Sequence, residues 1–364
     1  MSITLNSITG ENISIYKSKK TIPVFIAGNG AIGSTLIQQI KALNNTQFKI
    51  KIIGVCNSRN VIWKPDPDSL REKLNSSKEE TNWENITNKL VRYPKELIFI
   101  DATGSEIVAR QYLKLLSQGI HVTTPSKRAN TFEQSYFEDL KVFQNPGKAQ
   151  YRYETAVGAG LPVISTINNL IESGDSITKI SGVVSGTMTY IFNQLQQGIP
   201  FSEIIKAAKK EGYSEPDPRD DLSGEDIARK FLILARTCEY KFERDQIKVE
   251  SLVPKELIDY QVNGFLDHLS FYDEHWKNRN SQALLNNKRL RYTGEFTPEG
   301  IEIGIKEVPT DSPLGGLRKT DNLIQIYSER YADSPIVIQG PGAGKEVTAA
   351  GVLSDIIQIS KNIT

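Results

Sequence analysis

Apolar residues come in short β-branched runs separated by stretches with helical spacing. The run Ile22–Ala27 leads straight into Gly28-Asn-Gly-Ala-Ile-Gly33, and apolar positions then recur at Leu36, Ile37 and Ile40. That spacing predicts a helix over 34–43, and the run 48–55 reads as a second strand. Strand, glycine turn, helix and strand in about 35 residues have the size of one βαβ unit.

The stretch 59–95 is polar, with helical patches at 69–74 and 83–90. Residues 97–100 read as a buried strand ending in Asp101-Ala-Thr-Gly-Ser105, followed by a helix over 107–116 and a strand over 120–123. This alternation predicts an α/β fold with a parallel, doubly wound sheet of Rossmann type. Beyond residue 150 the order becomes mixed. Strands are expected at 151–155, 177–184, 289–292, 301–305, 322–327 and 336–339. Helices are expected from 163 through Leu170 and at 188–196, 201–209, 225–238 and 349–359. The expected organisation is a polar lead-in (1–20), a nucleotide-binding domain (21–152), a second α+β domain for substrate (153–338) and a C-terminal helical segment (339–364) returning to the nucleotide domain.

Composition narrows the function. The 364 residues carry 44 Lys+Arg against 43 Asp+Glu, a net charge of +1, which argues against a nucleic-acid or membrane-surface protein. No apolar stretch reaches the ~18–20 residues of a membrane span. The first twenty residues lack the basic-then-apolar order of a secretory signal. Cys56 and Cys238 make neither a disulfide framework nor a zinc site, so a reducing cytoplasm is expected. His121, His268 and His275 show no metal-ligand spacing, and His121, within a predicted strand, reads as a packed residue.

The glycine turn carries the first chemical reading. Gly28 would make the tight turn, Gly30 would let the backbone approach a pyrophosphate, and Gly33 would let helix and strand pack closely. Ala31 and Ile32 then open a helix whose N–H groups favour phosphate. The second strand ends in Val55-Cys56-Asn57-Ser58-Arg59, with no carboxylate for ribose hydroxyls. Asn57 and Arg59 suit a 2′-phosphate, which favours NADP over NAD. The plainer reading of Arg59 is a solvated loop cation.

The second reading comes from Gly212 to Lys230. Pro216 and Pro218 stiffen a loop bearing Glu215, Asp217, Asp220 and Asp221, and they are expected to exclude helix there. Ser223 then looks like the cap of a helix, with Asp226 three residues later. Asp226 and Lys230, four apart, share a face. Taken alone they are a surface pair worth ~0.3–0.5 kcal/mol. The apolar face Ile227, Phe231 and Leu234 would anchor that helix. Lys127 also stands directly after a predicted parallel strand, where such sheets bind ligands.

Gly212–Lys230 closely resembles the signature of homoserine dehydrogenases. So do Gly158-Ala-Gly-Leu-Pro162, Ser185-Gly-Thr-Met188, and Gly340-Pro-Gly-Ala-Gly344 followed by Val347-Thr-Ala-Ala-Gly-Val352. The matches run in order over nearly the whole chain and look closest to the dehydrogenase part of bifunctional aspartokinase–homoserine dehydrogenases. The kinase and regulatory domains are missing, so the resemblance does not extend to threonine feedback. It implies that L-aspartate 4-semialdehyde and L-homoserine are interconverted with NADP, NAD being the alternative, on the route to threonine, methionine and isoleucine. Lys230 resembles the general acid/base, with Asp226 beside it, and Lys127 matches a lysine at the substrate and nicotinamide. Glu215 and Asp221 match acids that hold the substrate amino group, and Thr187 lines the pocket. Thr103, Ser126, Lys127 and Gly344 match cofactor contacts. Glu154, Val157, Ala159 and Leu161 match positions whose main-chain oxygens hold a monovalent cation, usually sodium. The resemblance also implies a homodimer formed through the second domain.

Two other readings stand beside it. One is another NADP-dependent oxidoreductase of amino-acid aldehydes; aspartate semialdehyde dehydrogenase itself is disfavoured because neither cysteine sits in a suitable loop. The other is a non-catalytic NADP-binding regulator, for which Lys230, Lys127 and the acidic loop together would have no use.

Overall fold

The computed structural model describes residues 4–6, 12–14, 20–44, 47–66, 69–93, 96–144 and 149–363. Most of the polar lead-in lies outside the described residues. Its described pieces are β1 (Thr4–Asn6), antiparallel to β2 (Asn12–Ser14), and Lys20, where the first long strand begins. The chain forms two compact units: Met1–Thr124 with Lys141–Arg152 and Val352–Thr364, and Pro125–Leu140 with Tyr153–Gly351.

The first unit is built on six strands: β3 (Lys20–Ala27), β4 (Phe48–Cys56), β5 (Val61–Trp63), β6 (Ile98–Asp101), β7 (His121–Thr123) and β8 (Tyr151–Arg152). Their order is β5-β4-β3-β6-β7-β8, and every pairing is parallel except β5 on β4. Strands buried on both faces read as continuous apolar runs, and Val24–Ala27 and Ile98–Ile100 are fully buried. The helix Ala31–Ala42 turns Leu36, Ile37 and Ile40 inward. In the polar 59–95 stretch the edge strand β5 joins the two expected helices, Leu70–Ser76 and Trp83–Val91. The helix expected over 107–116 is interrupted, giving Glu106–Ala109 and Tyr112–Ser117. Between them the Gln111 N–H bonds the Val108 carbonyl, one residue short of α spacing. The strand expected over 151–155 stops at Arg152, and Glu154–Ala156 form a 3-10 turn.

The second unit holds β9 (Ile177–Val183), β10 (Lys248–Val249), β11 (Lys288–Thr297), β12 (Gly300–Pro309), β13 (Asp321–Ser328) and β14 (Ile336–Pro341). The order is β10-β12-β11-β9-β13-β14, antiparallel except for β10 on β12. The helices Gly186–Leu195, Glu225–Thr237 and Asp273–Leu285 pack on β11. Phe192, Phe231, Tyr292 and Phe296 fill this core. Asp273–Leu285 escapes sequence reading because it buries only Trp276, Asn280 and Ala283, too few apolar positions to show a stripe.

Two expectations are corrected in the acidic stretch. Residues Pro218–Leu222 are helical. Pro218 takes the first helical position, where its missing N–H costs nothing, and the Asp217 carboxylate caps the turn by accepting from Arg219 N at 3.0 Å. Ser223 is not the cap of the next helix. Gly224 holds that position at φ +77°, and a Cβ there would run into the Tyr292 hydroxyl. From the position before the cap, the Ser223 hydroxyl donates to the Asp220 carbonyl at 2.9 Å and accepts the Glu225 N–H at 3.3 Å.

Candidate active site

The glycine turn joins β3 to the helix Ala31–Ala42. Gly28 has φ +99°, and a Cβ there would lie 2.7 Å from the Ala102 oxygen; one on Gly33 would lie 2.0 Å from the Gly28 oxygen. Those two glycines are required by the chain's own packing. Gly30 has an ordinary φ of −76°, and a Cβ there would meet nothing within 4 Å. A bare backbone beside open space fits close approach by a phosphate. The helix behind it has no side-chain cap and no acid in its first turn, so Ala31, Ile32 and Gly33 open an uncapped, partially positive terminus.

At the end of β4, the Asn57 carboxamide oxygen accepts the N–H groups of Arg59 and Asn60, both at 2.8 Å. Arg59 is exposed beside it. Burial pushes the Cys56 thiol up to about 12, so it is no nucleophile at neutral pH. His121 accepts the Gln150 N–H at 2.9 Å, and burial lowers its imidazole to about 4, as suits a neutral packed residue. Thr103 is held by Asp101, whose Oδ1 accepts its N–H at 2.7 Å and its hydroxyl at 2.6 Å. Sequence reading gave Asp101 no role. Burial pushes its carboxyl up to about 6, against hydrogen bonds from Thr103 and Tyr112. The available signal was an acid closing an otherwise apolar strand.

In the second unit three charges converge. Lys230 Nζ lies 2.8 Å from Asp226 Oδ2, and Lys127 Nζ lies 3.3 Å from Asp226 Oδ1. Lys230 also donates to the Val184 carbonyl at 2.7 Å. Its side chain is only 12% exposed, which sets this pair apart from a solvated i, i+4 pair. Burial works against the Asp226 charge, but Lys230 and then Lys127 outweigh it and hold the carboxyl well below the usual range. Lys127 is lowered, first by burial and further by Lys230, with Asp226 opposing. One carboxylate between two ammoniums leaves a net positive cluster.

The acidic stretch supplies the next group. The Asp221 carboxylate accepts the Glu215 N–H at 2.8 Å, and burial raises its pKa. Thr187 donates its hydroxyl to the Tyr213 carbonyl at 2.6 Å. Arg219 grips both Asp217 oxygens and donates to the Ile258 and Tyr260 carbonyls, each at 2.7 Å, fixing the short helix that bears Asp221. Ser126 accepts the Arg128 N–H at 3.3 Å in the turn that carries Lys127. Gly344, at φ +131°, precedes the helix Lys345–Asn362.

The candidate cation loop is tightly wound, with φ +78° at Gly158 and +54° at Ala159; Val157 and Ala159 are buried, Leu161 is half-buried and Gly160 is exposed. The Glu154 carboxylate is spent on the helix Val163–Glu172, accepting Ile164 N at 2.8 Å and Ser165 N at 2.9 Å. Any cation here would therefore meet main-chain oxygens. The Leu161 carbonyl accepts Val163 N at 2.9 Å, while those of Val157 and Ala159 accept no hydrogen bond among the described residues. Carbonyl oxygens are suitable ligands for a hard cation.

Similarity to known proteins gives the family. The family described as homoserine dehydrogenase matches residues 162–357, and its NAD-binding domain matches residues 28–154. The chain is 37% identical over 359 residues to a maize (Zea mays) bifunctional aspartokinase/homoserine dehydrogenase, covering 95% of this chain and 39% of that protein. It thus spans well under half the length of that curated relative. A crystallised protein of unknown function from Candida auris shares 33% identity at a TM-score of 0.87, covering 94% of this chain and 99% of the other. A hyperthermophilic archaeal homoserine dehydrogenase solved with NADPH shares the fold at a TM-score of 0.72 and 21% identity, covering 94% of this chain and 98% of that one. The chain belongs to the homoserine dehydrogenase family, NAD(P)-dependent oxidoreductases acting on a CH–OH group.

Proposed function

We propose that this chain interconverts L-aspartate 4-semialdehyde and L-homoserine, with NADPH preferred over NADH, in the synthesis of threonine, methionine and isoleucine. The observation that carries the proposal is the Lys127–Asp226–Lys230 cluster. An ammonium has three donors. In Lys230 one serves Asp226 and one the Val184 carbonyl, which leaves the third for a substrate oxygen. When bound, NADPH supplies the hydride that reduces the aldehyde carbon. Lys230 stabilises the negative oxygen that forms and gives it a proton, while Lys127 adds positive potential. Asp226 stays ionised and orients both amines. Glu215 and Asp221 hold the substrate ammonium, and Thr187 shapes the pocket wall. In the oxidative direction a neutral amine takes the hydroxyl proton, so homoserine oxidation should climb with pH.

The uncapped helix that opens at Ala31, within the Gly28–Gly33 turn, suits the pyrophosphate, and Asn57 and Arg59 suit a 2′-phosphate. Thr103, Ser126, Lys127 and Gly344 are the remaining proposed cofactor contacts. The main-chain oxygens of Glu154, Val157, Ala159 and Leu161 would hold sodium and fix their loop. No helix among the described residues is long and apolar enough to cross a membrane. We take the working form to be a cytoplasmic homodimer.

Initial rates of NADPH oxidation with L-aspartate 4-semialdehyde test the activity. Turnover is expected; cofactor binding without turnover would favour a regulator. Running NADH alongside, with Arg59→Ala, tests the cofactor. The variant should lose NADPH preference about tenfold or more with little change for NADH, whereas an equal effect on both would make Arg59 a loop cation.

A further inference from the structure

We infer that Arg236 is a positioning residue for this chemistry: it locks the segment bearing Lys127 onto the helix bearing Asp226 and Lys230. The inference rests on the functional reading above.

Lys127 reaches Asp226 from a part of the chain far away in sequence, so something must hold that segment in place. Arg236 lies on the same helix, Glu225–Thr237, ten residues beyond Asp226, or about 15 Å along the axis. Its side chain is 0% exposed. A guanidinium has five N–H donors, and all five are used. Nε and Nη2 donate to the Phe242 carbonyl at 3.1 and 2.9 Å, and Nη2 also to Glu243 Oε2 at 2.9 Å. Nη1 donates to the carbonyls of Asn130 and Phe132, at 2.9 and 2.7 Å.

Those last two carbonyls belong to the segment that follows Lys127. The segment is braced internally. The Thr131 hydroxyl donates to the Lys127 carbonyl at 3.1 Å, and the Arg128 N–H to Ser126 Oγ at 3.3 Å. Glu243 extends the grip, since its Oε1 accepts the Gln134 N–H at 2.7 Å at the start of the next helix. The Lys127–Asp226 contact therefore closes one end of the junction, and Arg236 closes the other. The planar fork is needed here. A lysine has three donors on one atom and cannot span these carbonyls together. Arg236 itself is enclosed, so it acts through Lys127 and not on the substrate.

The test is a double-mutant cycle. Arg236→Met and Arg236→Lys are made alone and with Lys127→Ala. Folding is checked by circular dichroism, and kcat, KM and NADPH Kd are measured, with single turnovers at excess enzyme for the slowest variants. Arg236→Met alone should lower kcat about 10²-fold, because a misplaced amine costs that much, and should weaken NADPH binding no more than Lys127→Ala does, since Ser126 and Lys127 lie in the segment it holds. With Lys127 already removed it should lower kcat no more than about threefold. Equal losses in both backgrounds, or an unchanged kcat in the single variant, overturn the inference. Should Arg236→Met not fold, Arg236→Lys runs the same cycle under the same criteria. A wild-type chain that binds NADPH but never turns over removes the functional reading and this inference together. An active wild type with additive losses removes only the inference.

Discussion

Asp101 and Asp226 are the same side chain in two kinds of neighbourhood. Asp101, fully buried at the end of β6, takes its hydrogen bonds from neutral donors: the Thr103 N–H and hydroxyl, and the Tyr112 phenol at 2.5 Å. Burial wins, and its carboxyl rises to about 6. Asp226, 39% exposed, faces two ammoniums and is held well below the usual range. Neutral hydrogen bonds do not offset desolvation, whereas paired cations do. Asp101 thus braces Thr103 in the first unit, while Asp226 stays an anion that gathers two amines where charge must develop.

The largest expected effect is at the cationic pole of this contrast. Lys230→Ala should lower kcat by about 10³-fold or more while leaving NADPH Kd within about twofold, since it removes a group engaged only in the transition state. Unchanged kcat in steady-state assays would take Lys230 out of the chemistry. Asp226→Asn should cost kcat roughly 10- to 100-fold by releasing both amines. It also removes the anion set between the two amines, so the pH profile of homoserine oxidation should shift to lower pH. An unshifted profile would show that Asp226 does not set the amine's acidity.

The glycine turn permits a finer cut. Gly30→Ala should leave the unfolding midpoint within about 2 °C while weakening NADPH binding about tenfold, measured by fluorescence titration. Gly28→Ala should cost about 1–3 kcal/mol of stability through its positive φ and the Ala102 carbonyl. Matching stability losses would mean that the opening beside Gly30 is not a ligand's space. The last effect is read in stability alone and concerns Asp101. Its pKa is raised in the folded state, so the folded chain holds the proton more tightly than the unfolded one. Stability should therefore be highest below pH ~4 in this respect and fall as pH rises to ~6, by on the order of 3 kcal/mol. Asp101→Asn should flatten that slope in thermal melts; an identical slope would assign it to other groups.

Individual strands and helices were legible where they carry clear periods: Val24–Ala27, Leu36/Ile37/Ile40 and Ile227/Phe231/Leu234 each bury the face their spacing predicted. Lys230 and Asp226 were legible as a pair through i, i+4 spacing. Lys127 was singled out by its place after a strand and by the resemblance, because no local rule brings residue 127 to residue 226. The helix at Pro218 was hidden because the same residue forbids a helix interior and favours a helix start. The Gly224 cap was hidden because its need for glycine comes from Tyr292, on another element. Arg236 drew no sequence reading, because all its acceptors but the Glu243 carboxylate are main-chain carbonyls, which carry no sequence signal.

The most direct measurement follows the transferred hydrogen. The chain is incubated with L-aspartate 4-semialdehyde and NADPH carrying two deuteriums at nicotinamide C4, and the product is read by mass spectrometry and NMR. Homoserine with one deuterium on its carbinol carbon, formed by the wild type and nearly lost in Lys230→Ala, is the expected result. Homoserine without label, or label transfer undiminished in the variant, would contradict the central claim.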